Sequence, residues 1–386
     1  MTSSSKKKYR AIAKKYGTPL YVYDAQVIRE RCRSLKRHFP GAVMHYACKA
    51  NANPAVVRII KEEGFGIETV SAGELSFARK LGFQKSLVSF TCSNITNDEL
   101  RKAAESAGHV HLDSLHQIEL WRRAKLGKDI SLRLNHGIGA GHHAHVITGG
   151  PDSKFGISLD DLPAARKLAK RYGLRITGLA QHIGSNVLLV GIFARAMQKL
   201  LDTALGFPEI RHLDFGGGFG IPYQPTEKEL DLAALGREFA SRTRAFAHAH
   251  GKPVTFAFEP GRFPVAEAGT LLVEVTDIKR TSKHLFIGVN SGFNHLIRPA
   301  MYGSYHSIEN LSRSGGLQKD ITIAGNVCES GDLFAIHRKM SVPHIGDILA
   351  IRNAGAYGMS MASHYNQRPL PREIIIGHSR VQESSV

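Results

Sequence analysis

Short apolar runs alternate with amphipathic stretches along the first two thirds of this chain. AVMHYAC (42–48), IETV (67–70), LVSF (87–90), HVHL (109–112), ISLRL (130–134), ITGLAQHI (176–183), IRHLDF (210–215) and VTFAFE (254–259) have the length and composition of strands. Between them PAVVRIIKEE (54–63), AGELSFARKL (72–81), NDELRKAAESA (97–107) and DDLPAARKLAKRY (160–172) carry helical spacing. Strands and helices in alternation imply a parallel sheet. Eight such units predict an α/β fold, a (β/α)8 TIM-like barrel over residues 26–262.

After residue 262 the texture changes. GTLLVEVTDIK (269–279), HLFIGVN (284–290), DITIAGNV (320–327) and DILAIRNA (347–354) read as strands with few helical patterns between them. They predict a second, mostly antiparallel β domain over 263–386. The strand-like LYVYD (20–24), in the N-terminal segment 9–25, is expected to join it, because chain ends of two-domain proteins often lie close together. MTSSSKKK at the start and VQESSV at the end read as disordered.

Composition narrows the function classes. The 386 residues are 42% hydrophobic and 22% charged, an ordinary globular balance. No apolar run approaches a membrane span and neither tail resembles a secretion signal, so a soluble, cytoplasmic protein is expected, with no membrane partner. The formal net charge of +18 raises the question of nucleic acid, but the basic residues are scattered rather than gathered into a stripe. An affinity for anionic small molecules fits that distribution better. The four cysteines form no CxxC pair and read as free thiols. GHHAH (141–145) has no carboxylate or cysteine at ligand spacing and reads as a polar loop; no metal is expected.

A barrel of this kind gathers its chemistry at the C-terminal ends of its strands. Lys49 follows the first strand, His182 in QHIGSN ends the sixth, DFGGGFG (214–220) follows the seventh and EPGR (259–262) the eighth. Each has an ordinary reading: a solvated lysine, a structural histidine, a tight turn. Together on one rim they describe something narrower. Three glycines let backbone N–H groups approach a phosphate, and Arg262 adds a charged donor. A lysine beside such a site can have its pKa lowered and form a Schiff base. Glu259 could hold a pyridine nitrogen protonated, and an imidazole could stack on the ring. These are the requirements of pyridoxal 5'-phosphate (PLP).

The motifs extend further. YACKAN, SAGEL (71–75), TGGPDSKFGI (148–157), HIGSN, DFGGGFGIPY, EPGR, RPAMYGSYH (298–306), CESGD (328–332) and AGAYGMSMASHYNQRP (354–369) occur in this order. With them the chain resembles the fold-type III PLP-dependent decarboxylases, and within those the diaminopimelate decarboxylases. The resemblance implies that Lys49 carries PLP, that His182 stacks on its ring and that Glu259 meets the pyridine nitrogen. It places Ser185, Gly216, Gly217, Gly218, Gly261, Arg262 and Tyr357 around the phosphate. It implies a homodimer with shared sites, each receiving Cys328 and Glu329 from the other subunit. Cys328 would then be the proton donor in catalysis. Arg298 and Tyr302, with Arg262 and Tyr357, would bind the substrate; Glu329 would hold its distal ammonium.

That set implies decarboxylation of meso-2,6-diaminopimelate to L-lysine and CO2, the last step of lysine biosynthesis. An arginine fork suits a distal carboxylate, which ornithine and arginine lack. The alternatives are a related decarboxylase of another amino acid or of a siderophore or antibiotic precursor, and a basic binding protein without catalysis; the intact Lys49, Glu259 and Cys328 argue against the last. The chain departs from the family pattern at Glu68, where aspartate is common, at Asn290, at His364, and after EIIIGHSR, where an Arg-rich strand is usual.

Overall fold

The structure, a computed structural model, describes residues 2–141, 149–150, 152–313, 315–377 and 382–383. The histidine run at 141–145 therefore lies, apart from Gly141, outside the described residues, as does most of VQESSV. No helix among the described residues is long and apolar enough to cross a membrane.

All eight expected barrel strands form. They are Val43–Ala47, Gly66–Thr69, Val88–Thr91, His109–Leu112, Asp129–Asn135, Arg175–Ala180, His212–Asp214 and Thr255–Phe258. Every neighbouring pair is parallel, and Thr255–Phe258 pairs with Val43–Ala47 to close the ring. Helices Pro54–Glu62, Ala72–Lys80, Asn97–Ser106 and Leu162–Arg171 lie where the 3.6-residue period places them. Val190–Ala204 and Leu232–His250, with Ala25–His38 and Leu115–Arg123, complete the outer layer. Their inner faces and the outer faces of the strands make one continuous apolar core, which includes Phe39, Phe219, Phe239 and Phe258 in mutual edge and tilted contacts.

The second sheet is curled and mostly antiparallel. Its backbone is Gly269–Arg280, which pairs antiparallel with Leu285–Val289, with Ile348–Ile351 and with the N-terminal strand Leu20–Asp24. Leu20–Asp24 also pairs in parallel with Arg372–Ile376. Leu333–Ser341 and Arg372–Ile376 are strands that the apolar pattern did not announce; exposed basic residues interrupt the former.

The N-terminal residues need a correction. Ser3–Tyr16 is a helix, not a disordered tail. Thr2 caps it through its side chain, which accepts from the Ser5 N–H at 3.2 Å. Tyr9 and Ala13 pack against Leu20, Val22, Leu272 and Ile374 of the second sheet. Tertiary contact holds a helix whose own sequence is too charged to advertise one.

Candidate active site

The turn that carries Lys49 is set by its neighbours. After Val43–Ala47 the chain makes a single 3-10 turn, Cys48–Ala50. Asn51 then bonds outward to the Gly355 carbonyl at 2.9 Å, and its Oδ1 accepts the Asn53 N–H at 2.9 Å. Asn53 caps the next helix by accepting the Ala55 N–H at 2.9 Å, with Pro54 at the first helical position. ANANP is thus a strand stop and a helix start in five residues. Tyr357 N–H donates to the Ala50 carbonyl at 2.8 Å, which fastens the AGAYG loop to the same turn.

Lys49 opens onto a cavity of about 400 Å³ shared with Glu68, Thr91, Arg133, His182 and Glu259. Its Nζ donates to Glu68 Oε2 at 2.6 Å, and Glu68 is buried. Burial by itself would lower the lysine pKa, but the Glu68 carboxylate, then Tyr357 and Glu259, outweigh it and raise it above the usual range. The lowered pKa expected from the sequence is therefore corrected: here the ammonium is held charged. Glu68 is one of the departures noted in the sequence, and this contact is where it acts.

Glu259 stands at the end of the adjacent strand, Thr255–Phe258. Its Oε1 accepts from Ser89 Oγ at 3.0 Å. Burial, then the neighbouring Asp214 and Glu68 charges, push its carboxyl well above the usual carboxylate range. His182 accepts the Gly217 N–H on Nδ1 at 3.0 Å, which puts any ring proton on Nε2. Burial, then the Lys49 charge, keeps the ring neutral.

The glycine turn is more specialised than an open phosphate loop. Gly216 N–H goes to Asp214 Oδ1 at 2.7 Å and Gly217 N–H to His182, so two of the three amides are taken by protein groups. What the glycines supply is close approach. A Cβ at Gly216 would lie 2.2 Å from the Gln181 carbonyl oxygen, and one at Gly217 2.4 Å from that of Glu259.

A second cluster adjoins the first through Gly261, where a Cβ would lie 3.0 Å from Ala47 Cβ and 3.3 Å from Tyr357 Oη. Arg262 donates to Ser185 Oγ and to Tyr223 Oη, both at 2.8 Å, while its Nε has no partner among the described residues. Its guanidinium carbon lies 4.9 Å from the centre of the Tyr357 ring. Arg298 is buried, with Nη1 2.9 Å from His306 Nε2 and its guanidinium 4.5 Å over the Tyr223 ring. Two arginines thus converge on one tyrosine. Tyr302 ends the short helix Arg298–Tyr302 and is half-buried.

Cys328 and Glu329 stand apart. Both are exposed, and neither lines the cavity around Lys49. Asp332 of the same CESGD segment shapes the loop by accepting the Val327 and Phe293 N–H groups at 2.7 and 2.6 Å. Tyr365 Oη donates to Glu329 Oε1 at 2.7 Å. One chain alone does not bring this pair to the lysine. Asn290 and His364 have local tasks: Asn290 donates to Thr18 Oγ1 at 2.8 Å, and His364 Nδ1 lies 3.2 Å from the Arg368 carbonyl oxygen.

Residues 25–266 match the family model described as "Pyridoxal-dependent decarboxylase, pyridoxal binding domain". The curated diaminopimelate decarboxylase of Methanothermobacter thermautotrophicus is 43% identical over 96% of this chain and 89% of its own. The chain belongs to the diaminopimelate decarboxylase family. The curated diaminopimelate decarboxylase of Aquifex aeolicus is 35% identical over 97% of this chain and 90% of its own. Among solved structures, diaminopimelate decarboxylase from Helicobacter pylori complexed with L-lysine superimposes with a TM-score of 0.88 at 29% identity, covering 97% of this chain and 95% of that one.

Several pieces of this decarboxylase site escape a motif reading. Arg133 lines the cavity and lies 3.3 Å from Asp113 Oδ1. Ser89 holds Glu259, and Tyr223 holds Arg262. Arg133 and Ser89 lie within barrel strands, short of the strand ends that the rim rule reads. Tyr223 closes DFGGGFGIPY, but only the fold connects it to the arginines.

Proposed function

We propose that this chain binds PLP on Lys49 and decarboxylates meso-2,6-diaminopimelate to L-lysine and CO2, the last step of lysine biosynthesis. The observation that carries the reading is one cavity holding Lys49, Glu68, His182 and Glu259 in a chain of this family.

The residues suit the cofactor. Glu259 is a buried carboxyl whose charged form Lys49 favours, and a ring nitrogen would supply a further cation. The Arg262 Nε is a buried donor without an acceptor among the described residues. When bound, PLP supplies an electron sink for the pair released as the Cα–carboxylate bond breaks. Ser185, Gly216, Gly217, Gly218, Gly261, Arg262 and Tyr357 would surround the phosphate. In this arrangement Gly216 and Gly217 act by close approach, and Gly217 also by aiming His182 at the ring face.

The chain's own residues then do the rest. Lys49 would hold the cofactor, and its amine would be the group that competes with the product's for it. Arg262, Arg298 and Tyr302, beside Tyr357, bind and orient the carboxylate that is kept. Cys328 of the partner subunit delivers its Sγ proton to the Cα that has lost CO2, and Glu329 of the partner subunit holds the distal ammonium. The working form on this reading is a cytoplasmic homodimer, with residues 26–262 as the cofactor-binding unit and 263–386 plus the N-terminal strand as the other.

CO2 release from meso-diaminopimelate, lysine, ornithine and arginine tests the substrate. Diaminopimelate should turn over fastest by orders of magnitude; faster release from any of the other three overturns the assignment. Borohydride should fix the cofactor onto Lys49, and fixation elsewhere in the chain would remove that lysine from its role.

A further inference from the structure

Beneath the cofactor cavity the barrel interior is filled with imidazoles. Two short alternations put them there, His109-Val110-His111 on one strand and His212-Leu213-Asp214 on another, since residues two apart share a strand face. The His109 and His212 rings stack with centroids 3.9 Å apart, and His111 and His212 lie at 5.8 Å. Glycines make the room: a Cβ on Gly66 would sit 2.5 Å from the His45 ring, and one on Gly178 2.6 Å from Ser131 Oγ.

Among the described residues, several polar atoms in this interior have no hydrogen-bond partner. One ligand atom each from His111, His212 and Asp214 lies within 4.8 Å of the others. His111 Nδ1 is 2.7 Å from Ser131 Oγ, which leaves its Nε2, and that atom has no partner. Asp214 Oδ1 accepts the Gly216 N–H, which leaves Oδ2, also without a partner. Both ring nitrogens of His212 and of His45 are unpaired, and His45 Nδ1 lies 4.0 Å from Asp214 Oδ2. His45, His111, His212 and Asp214 are all more than nine-tenths buried. Native interiors seldom leave so many buried donors and acceptors without partners, because each costs free energy. An imidazole anchored on one nitrogen and open on the other, beside a carboxylate anchored on one oxygen, is how metal-binding side chains are commonly held.

We propose that this cluster binds one divalent transition-metal ion, with His111 Nε2, one His212 ring nitrogen and Asp214 Oδ2 as ligands and His45 facing the fourth position. Two or three imidazoles and one carboxylate suit Zn2+, Co2+ or Ni2+ rather than the all-oxygen preference of Mg2+ and Ca2+. The ion's place is structural. Asp214 opens the glycine turn, so a metal bound there braces the loop whose next amide holds His182. The competing occupant is a buried water bridging the same atoms.

The test uses tag-free holoenzyme incubated with Co2+ or Zn2+ and dialysed against metal-free buffer. Mass spectrometry should find about one equivalent per chain, and X-ray absorption at the metal edge should show imidazole scattering with ligands at about 2.0–2.2 Å. His111→Gln, His212→Gln and Asp214→Asn should each lower the affinity at least about tenfold, while exposed His248→Gln leaves it unchanged. Less than about a tenth of an equivalent in the wild-type protein means water fills the site and overturns the proposal. So does a full equivalent that the three variants leave unmoved. The absorption spectrum needs no variant: a bound ion without imidazole scattering overturns the assignment even if every variant misfolds.

Discussion

The cavity around Lys49 and the CESGD loop carry comparable chemistry in opposite surroundings. In the cavity a lysine meets a buried glutamate at 2.6 Å, a second glutamate is held by Ser89, and a histidine is aimed by a glycine amide. In the loop Cys328 and Glu329 are exposed, and Asp332 orders the backbone while leaving those two side chains outward. The first region is built within one chain. The second, among the described residues, is a shaped surface away from that chain's own cavity. The difference teaches that ordering a loop is a separate task from giving its side chains something to act on.

The strongest way to break the comparison is to remove each region's reactive atom. Lys49→Ala should lower turnover at least about a thousandfold and abolish borohydride fixation of the cofactor. Cys328→Ala should lower it about a hundredfold while cofactor absorbance is retained. Mixing the two inactive proteins sharpens the point. If the loop serves the other subunit's cavity, half of a random mixture is heterodimer with one intact site in two, so about a quarter of wild-type activity returns. If loop and cavity serve each other within one chain, no activity returns, and the shared-site reading fails.

A smaller effect separates the regions by pH. Burial, then His109, lowers the His45 pKa from 6.5 to about 3. Between those values the unfolded chain binds a proton that the folded chain refuses, so stability falls as pH falls. The slope is about 1.4 kcal/mol per pH unit from His45 alone. Denaturation by urea at stepped pH in the presence of chelator should show a steep loss below pH 6.5, and His45→Leu should flatten it; an unchanged slope would mean that the imidazole is solvated. The smallest effect is the control. Thr96 and Glu99 form an exposed capping box three residues beyond Ser93 of the cavity wall, and Thr96→Ala should cost about 1 kcal/mol with turnover unchanged.

How much of this the sequence displays depends on how local the cause is. The eight barrel strands are legible because each is a short apolar run between turn signals, and the rim residues follow from where those strands stop. Lys49, His182, Glu259 and Arg262 belong to that class. The helix Ser3–Tyr16 is not legible, because only Tyr9 and Ala13 bury, and of their partners Leu272 and Ile374 lie more than 250 residues away. Arg298 stands out only within RPAMYGSYH, and the fold then sets Tyr223 and His306 against it. The barrel histidines carry no signal along the chain; only closure of the sheet brings His45, His111 and His212 together. The raised rather than lowered pKa of Lys49 depends on Glu68, nineteen residues away, across one strand pairing.

The strand Leu20–Asp24 pairs at Leu20 with both Leu272 and Arg372. It is therefore among the first strands made and among the last satisfied. At about 5–20 residues per second, its second partner leaves the ribosome some 20–70 s after it does. Until Leu272 follows, a five-residue β-segment, apolar but for Asp24, waits with both edges open while an entire barrel can form behind it, and one edge stays open until Arg372. This is the period in which a chaperone has something to hold, and in which a charge placed at Val22 would do its harm: not in the finished sheet alone, but in the yield of chains that reach it.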